Sequence, residues 1–280
     1  MTEERAAPPD RDNLPRMGLM EHLEELRRRI FHALAAVMVA FFVCWGFSER
    51  IYEFLARPIY RLLPEGRKLV FLGVTDPFLV YVKVALLGGL FLASPYVLFQ
   101  LWRFVAPGLY RNERLAALPF ILFGSSLFLA GGAFAYYVAF PFAIAFLLGI
   151  GSQFDAQITV NHYLSFLMTV ILGLALMFEL PVVILFLARL GLVTPRFLLR
   201  HFRWAVLIIF VLAAVITPTP DVFNLLIFSG PAVGLYLLGV VLAFWVKPRK
   251  DAAQATDGLA QADPESRAAR RSATTQSSSE

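Results

Sequence analysis

The stretch LRRRIFHALAAVMVAFFVCWGF, residues 26–47, decides the fold class, because three arginines are followed at once by a long apolar run. From Ile30 to Phe47 the run carries no formal charge. The hydrocarbon core of a bilayer is about 30 Å thick and a helix rises about 1.5 Å per residue, so such a run is typical of a transmembrane helix. Arginines beside it are typical of a cytoplasmic flank.

The rest of the chain has the same composition. Its 280 residues are 59% hydrophobic and 16% charged, whereas about a quarter of the residues of a soluble domain are charged. Residues 1–19 and 249–280 are polar, and we expect them to be disordered cytoplasmic segments. The membrane domain, 20–248, is predicted to be all-α and polytopic, with six transmembrane helices at about 30–47, 77–102, 115–140, 162–187, 204–216 and 222–246.

The last two helices are expected to be short. Segment 204–216 has 13 residues, roughly 20 Å as a helix, and should not cross the bilayer unaided. Pro231 is expected to interrupt the sixth helix, because proline removes a backbone hydrogen bond and clashes with the preceding turn. Pro141 and the glycines after it are expected to end the third helix near residue 140.

The distribution of Lys and Arg predicts that both termini lie in the cytoplasm. Arginines flank the N-terminal side, the second and fourth loops and the start of the tail, whereas the third and fifth loops have neither Lys nor Arg. The first loop departs from this pattern, because it is predicted to lie outside and yet contains five basic residues: Arg50, Arg57, Arg61, Arg67 and Lys68. Its segment SERIYEFLARPIYRLL, 48–63, has apolar residues at helical spacing, which predicts an ordered amphipathic cap over the outer face.

The sequence contains no pattern typical of catalysis. The four histidines are scattered, the single cysteine excludes an internal disulfide, and no glycine-rich phosphate loop follows a strand. We therefore expect no enzyme activity, no metal and no cofactor. The basic residues lie in loops and tails and not on a soluble basic face, so we expect no nucleic-acid partner.

Three carboxylates, Glu25, Glu113 and Glu179, stand out instead. Glu24 and Glu25 lie four residues ahead of Arg28 and Arg29, and such pairs stabilise a helix by a few tenths of a kcal/mol. Local pairing is therefore the simpler interpretation of Glu25 taken alone, and a docking site for an incoming cation is the other. Glu113, before the third helix, is open to the same two interpretations, with the helix dipole as its local partner.

Glu179 is different, because uncharged residues surround it from Ala156 to Phe178 and from Leu180 to Ala188. A charged residue at bilayer depth costs about 3 kcal/mol on insertion scales, so such residues usually have a function. Pro181 follows two residues later and is expected to bend the helix there.

Four blocks resemble the TatC family, the core subunit of the twin-arginine protein translocase. They are HLEELRRRI, FVAPGLYRNERLAALP, FELPVV and TPTPDVFN, and their order and spacing match over roughly residues 20–248. The resemblance implies a receptor in a bacterial or archaeal cytoplasmic membrane that binds the signal peptides of folded cargo proteins. It also implies TatA and TatB single-span partners, further TatC copies, and transport driven by the protonmotive force.

The resemblance also implies roles for single residues. Glu25 and Glu113 would receive the twin arginines, which suits carboxylates because a guanidinium pairs with them bidentately and lysine does so less well. Glu24 would then serve the neighbouring arginines. The implied signal-peptide site comprises Glu25, Arg27, Phe104, Pro107, Tyr110 and Glu113.

Within the membrane the resemblance implies contacts to a partner helix from Glu179, Thr217 and Asn224, with Pro58, Pro181 and Asp221 as structural positions. Leu225 departs from the family, which commonly has glutamine there, so Asn224 is expected to substitute or the polar patch to be weaker. The competing hypothesis is a proton-coupled secondary transporter with Glu179 as its proton site. The lack of internal symmetry disfavours it, and an intramembrane enzyme is disfavoured by the missing catalytic pattern.

Overall fold

The structure, a computed structural model, describes residues 19–63, 68–105, 117–154, 157–189, 191–217 and 221–245. Within these ranges the chain forms helices and a single isolated β-bridge, with no strand. The helices are α1 (Leu19–Trp45), α2 (Ser48–Tyr60), α3 (Asp76–Val105), α4 (Ala117–Phe134), α5 (Phe140–Ile150), α6 (Val160–Phe178), α7 (Leu180–Arg189), α8 (Pro195–Arg200), α9 (Phe202–Ile216) and α10 (Val222–Trp245).

The described helices confirm an all-α polytopic membrane protein. Five spans are long and apolar enough to cross a bilayer, and α9 is a shorter apolar helix. The spans are Leu23–Trp45, Asp76–Phe104, Leu118–Gln153, Val160–Arg189 and Val222–Trp245. Of the two segments predicted to be short, only the fifth, α9, is short. The sixth, α10, has 24 residues and is about 36 Å long, so the prediction of a short sixth helix is wrong.

Two predicted interruptions are wrong. Helix α10 is continuous through Pro231. The third segment passes through a π-helical turn, Ala135–Ala139, and continues as α5, which contains Pro141 near its start. No water in the bilayer core can satisfy backbone groups that a break would expose, so continued helix is favoured. The wider π turn directly before Pro141 makes room for a ring that would clash with a regular α-helical turn.

The predicted bend at Pro181 takes the form of a break between α6 and α7. Glu179 lies between the two helices in a turn, and its backbone N–H is bonded to the carbonyl of Leu176. The carbonyl of Glu179 then accepts from Val183 and starts the next helix. The break therefore places the carboxylate at a helix junction inside the membrane span.

Glycines set the closest helix contacts. A Cβ at Gly89 of α3 would lie 2.8 Å from the backbone nitrogen of Phe41, and one at Gly131 of α4 would lie 2.8 Å from Cα of Ala175. Only glycine permits such approach, as is common where membrane helices pack. Helix α1 therefore lies directly on α3, and α4 lies directly on α6.

The predicted cap is present, and α2 is its main part. Leu55, Ala56 and Ile59 bury its apolar side. Beyond α2, Val70 pairs with the loop before α6 in the isolated bridge to Thr159. Two loops that are distant in sequence therefore meet on the face opposite the N-terminus of α1.

Tyrosines fasten α2 to the spans beneath it. Pro58 lacks an N–H, so the carbonyl of Phe54 loses its partner within the helix. The hydroxyl of Tyr136, in the π turn, donates to that carbonyl. The hydroxyl of Tyr163 on α6 donates to the carbonyl of Leu55 at 2.7 Å. Both bonds fix the height of α2 over the bundle.

Candidate functional site

Glu25 forms the one salt bridge within the described residues, and its partner is Arg29 on the same helix. Oε1 accepts from Nη2 of Arg29 at 3.0 Å, and each side chain is only 11% exposed. The assignment of Glu24 as the internal partner of the arginines is wrong, because Glu24 is exposed and no described residue pairs with it. Glu25 occupies that role, at the i,i+4 spacing.

Only one of the two oxygens of the Glu25 carboxylate accepts a hydrogen bond from a described residue. Its Oε2 and the Nε of Arg29 are buried without a hydrogen-bond partner among the described residues. Gln100 of α3, 3% exposed, accepts a longer bond of 3.4 Å from Nη1 of Arg29. Buried polar groups are normally bonded, so Glu25, Arg29 and Gln100, which we call the Glu25 site, contain one acceptor and one donor that are unused among the described residues.

Sequence reasoning did not find Gln100, although it considered Arg29 both as a residue that orients the first helix and as an i,i+4 partner of Glu25. An amide inside an otherwise apolar run of α3 is the signal that could have found Gln100. Nothing in the sequence shows that it faces α1, since that contact depends on how α1 and α3 pack.

The remaining residues of the predicted signal-peptide site are only partly described. Arg27 is exposed, with its guanidinium carbon 5.7 Å from the centre of the Phe31 ring. Phe104 is half-buried and lies one turn after Gln100, so it shares that face of α3. Pro107, Tyr110 and Glu113 lie outside the described residues, and their proximity to Glu25 stays a prediction.

Glu179 is 8% exposed, and neither of its carboxylate oxygens has a hydrogen-bond partner among the described residues. It faces α4, where a Cβ at Gly124 would lie 3.4 Å from its Oε2. Beside Gly124, the hydroxyl of Ser125 is also buried without a partner. The region between α4 and the α6–α7 junction therefore holds polar atoms that have no hydrogen-bond partner among the residues that the structure describes.

The polar residues around the start of α10 are bonded within the chain. Thr217 is 5% exposed and donates to the carbonyl of Ala213 at 2.7 Å. Asn224 is 2% exposed, and its backbone and side-chain nitrogens donate to Asp221 at 2.7 and 2.9 Å. Asp221 thus caps α10. A partner helix would meet this region without direct access to the side chains of Thr217 and Asn224.

Comparison with known proteins shows the family. The family model described as Sec-independent protein translocase protein (TatC) matches residues 21–231. Sec-independent protein translocase protein TatC of Koribacter versatilis, strain Ellin345, is 45% identical over 250 residues, which cover 86% of this chain and 92% of the relative. The protein of the same description from Helicobacter pylori, strain J99, is 42% identical over 231 residues, covering 82% and 90%.

Solved structures agree. The crystal structure of the twin arginine translocase receptor TatC in DDM superposes with a TM-score of 0.72 at 33% identity, covering 80% of this chain and 99% of that one. These relatives are components of a protein translocase and not of a catalytic enzyme family. The chain therefore belongs to the TatC family of Sec-independent protein translocase proteins.

Proposed function

We propose that this chain is the receptor that binds twin-arginine signal peptides, and that Glu25 accepts one of their guanidinium groups. The observation that carries the proposal is the Glu25 carboxylate: its Oε1 accepts from Arg29, whereas its Oε2 is buried and has no partner in the part of the chain that the structure describes. A carboxylate offers about four lone-pair positions, so a second guanidinium can bind without displacing the first. The solved relative at 33% identity is described as a twin arginine translocase receptor.

The surroundings suit arginine better than lysine. Gln100 accepts from Arg29, and Arg29 donates to the Glu25 carboxylate and so fixes its orientation. A planar guanidinium can form two parallel hydrogen bonds with a carboxylate in a fixed orientation, whereas an ammonium group acts as a point charge. Partial burial also strengthens charge-assisted hydrogen bonds. Glu113 is proposed as the acceptor for the second arginine.

We further propose that the N-terminus and the tail lie in the cytoplasm of a bacterial cell, in the inner membrane, with α2 on the outer face. TatA and TatB single-span proteins and other TatC copies are the proposed partners, and folded cargo crosses under the protonmotive force. Glu179 supports the partner assignment, since its buried oxygens lack internal partners among the described residues.

Peptide binding tests the receptor assignment directly. A labelled signal peptide with Arg-Arg is titrated onto the purified full-length chain in detergent, and fluorescence anisotropy gives Kd. We expect Glu25→Gln to weaken binding by about tenfold to a hundredfold, the worth of one lost charge-assisted bond. Glu24→Gln is the matched control: it removes the same charge one residue away, where no described contact is lost, and should change Kd by less than about twofold.

The peptide with Lys-Lys separates guanidinium recognition from simple charge attraction. The unaltered chain should prefer Arg-Arg, and Glu25→Gln and Glu113→Gln should each reduce that preference. Equal loss of binding in Glu24→Gln and Glu25→Gln would show that only surface charge matters and would contradict the proposal. Thermal unfolding of each variant checks that the fold is retained.

A further inference from the structure

Two arginines of α2 line one small cavity on the face opposite the N-terminus of α1. Arg57 and Arg61 lie one helical turn apart, and both are exposed. The cavity has a volume of about 200 Å³, and Pro58 and Pro141 also line it. Within the described residues neither arginine forms a salt bridge, because the one such bridge joins Glu25 and Arg29. Two positive charges therefore share one cavity, and no carboxylate among the described residues pairs with them.

The fold holds this cationic cavity in place. Phe54 and Tyr136 stack with ring centres 4.5 Å apart, and the Tyr136 hydroxyl donates to the Phe54 carbonyl. Arg57 lies with its guanidinium carbon 5.6 Å from the centre of the Phe54 ring. Arg61 lines the same cavity as Phe54 and Tyr136. Both arginines therefore lie beside one aromatic pair.

An apolar cavity of about 260 Å³ adjoins the cationic one. Its lining includes Leu87, Phe91, Leu129 and Ala133. The two cavities share the lining residues Phe54, Tyr136 and Tyr137. The cationic cavity and an apolar groove lined by residues of α2, α3 and α4 therefore lie side by side.

We propose that these cavities form one binding site for an anionic phospholipid of the leaflet opposite the N-terminus. The phosphodiester lies between Arg57 and Arg61, and part of one acyl chain occupies the apolar cavity. Charge complementarity and the change from polar to apolar lining identify this occupant. Free phosphate would leave the apolar cavity unused, and the ammonium group of a zwitterionic lipid would add a third positive charge beside the two arginines. Guanidinium groups bind phosphate oxygens in pairs of hydrogen bonds.

The same site accounts for an exception in the charge pattern. The first loop is rich in Lys and Arg although it lies opposite the arginine-rich N-terminal flank. A polybasic segment next to a bilayer attracts anionic lipid by about 1 kcal/mol for each basic residue. Arg57 and Arg61 thus have a partner that is present in the membrane itself.

Native mass spectrometry of the delipidated full-length chain tests the proposal. Phosphatidylglycerol and phosphatidylcholine with identical acyl chains are titrated separately, and glycerol 3-phosphate serves as the soluble headgroup probe. We expect one site that prefers phosphatidylglycerol. The double variant Arg57→Gln/Arg61→Gln should bind it about tenfold to thirtyfold more weakly. Arg50→Gln is the matched control, an exposed arginine of α2 outside the lining of both cavities, and should bind as the unaltered chain does.

A further variant tests the apolar cavity by filling it. Ala133→Phe introduces a ring into the lining while leaving both arginines intact, and we expect weaker phosphatidylglycerol binding. Three results would each overturn the proposal: unchanged lipid preference in the double variant, equal loss in Arg50→Gln, or displacement of the lipid by glycerol 3-phosphate at equal concentration. The last would mark a site for soluble phosphate.

Discussion

Two intramembrane or near-membrane carboxylates of this chain differ in how their oxygens are satisfied. In the described part of the chain, Glu25 has one oxygen bonded to Arg29 and one buried without a partner, whereas both oxygens of Glu179 are buried without a partner. A buried polar group without a hydrogen bond costs about 1–3 kcal/mol. Glu179 therefore lowers the stability of the isolated chain. A residue that costs stability in this way is expected to be retained for contact with another molecule.

Replacement of Glu179 by leucine should for this reason raise stability while impairing export. Because leucine removes the unsatisfied oxygens at similar volume, we expect Glu179→Leu to stabilise the chain by about 1–3 kcal/mol. Thermal unfolding in detergent and export of a folded reporter in cells measure the two effects. Glu179→Gln is the control: it keeps buried polar atoms at this position, so we expect it to raise the stability less than Glu179→Leu does. A lower unfolding temperature for Glu179→Leu would show that the carboxyl group stabilises the fold.

At the scale of the elements, two prolines inside helices each leave a backbone carbonyl without its N–H donor, and a side-chain hydroxyl donates to that carbonyl instead. Pro95 in α3 deprives the Phe91 carbonyl of its helical donor, and the hydroxyl of Ser94 donates to that carbonyl at 2.8 Å. Pro58 in α2 likewise leaves the Phe54 carbonyl without a backbone donor, and the hydroxyl of Tyr136 donates to it. In membrane helices such side chains replace bonds that proline removes. The cap helix thus depends on a side chain from a different element.

A double-mutant cycle measures this dependence. Tyr136→Phe leaves the Phe54 carbonyl without its hydroxyl donor, and we expect a loss of about 1–3 kcal/mol in the free energy of unfolding. Pro58→Ala restores a backbone N–H at position 58, so Tyr136→Phe should cost less in that background. Unfolding curves of the four proteins give the coupling energy. Equal costs in both backgrounds would show that the carbonyl is satisfied in another way.

At the scale of the whole molecule, the short helix α9 gives the bundle an uneven thickness. Its 15 residues span about 22 Å. Beside its last residues, Val215 and Ile216, a cavity of about 630 Å³ opens against α5 and α6. A segment shorter than the hydrocarbon core is accommodated by local thinning of the bilayer. The side of the molecule that carries α9 is therefore where we expect the membrane to be thinnest.

The orientation of the molecule can be measured by cysteine labelling. After Cys44→Ala, single cysteines are placed at two exposed sites, Thr75→Cys before α3 and Arg196→Cys in α8. Because Lys and Arg favour the cytoplasmic side, we expect a membrane-impermeant maleimide to label Thr75→Cys in spheroplasts and Arg196→Cys only after lysis. Equal labelling in detergent is the control. The reverse pattern would place both termini outside.

The helical membrane fold, with its six apolar segments and its interfacial cap, followed from local properties of the sequence. Apolar runs predict membrane helices because each helix satisfies its own backbone, and amphipathic spacing predicted α2 for the same local reason. Local rules overestimated the effect of Pro141 and Pro231, since the bilayer penalises a broken helix more than water does.

The tertiary structure alone decided which side chains meet. The sequence offered two i,i+4 pairs of similar worth, and the contact of α1 with α3 placed Arg29 against Gln100 and left Glu24 exposed. Likewise, the close approach at Gly89 and the meeting of α2 with the π turn involve residues distant in the chain. Such contacts depend on packing between helices, which the periodicity of any one segment does not contain.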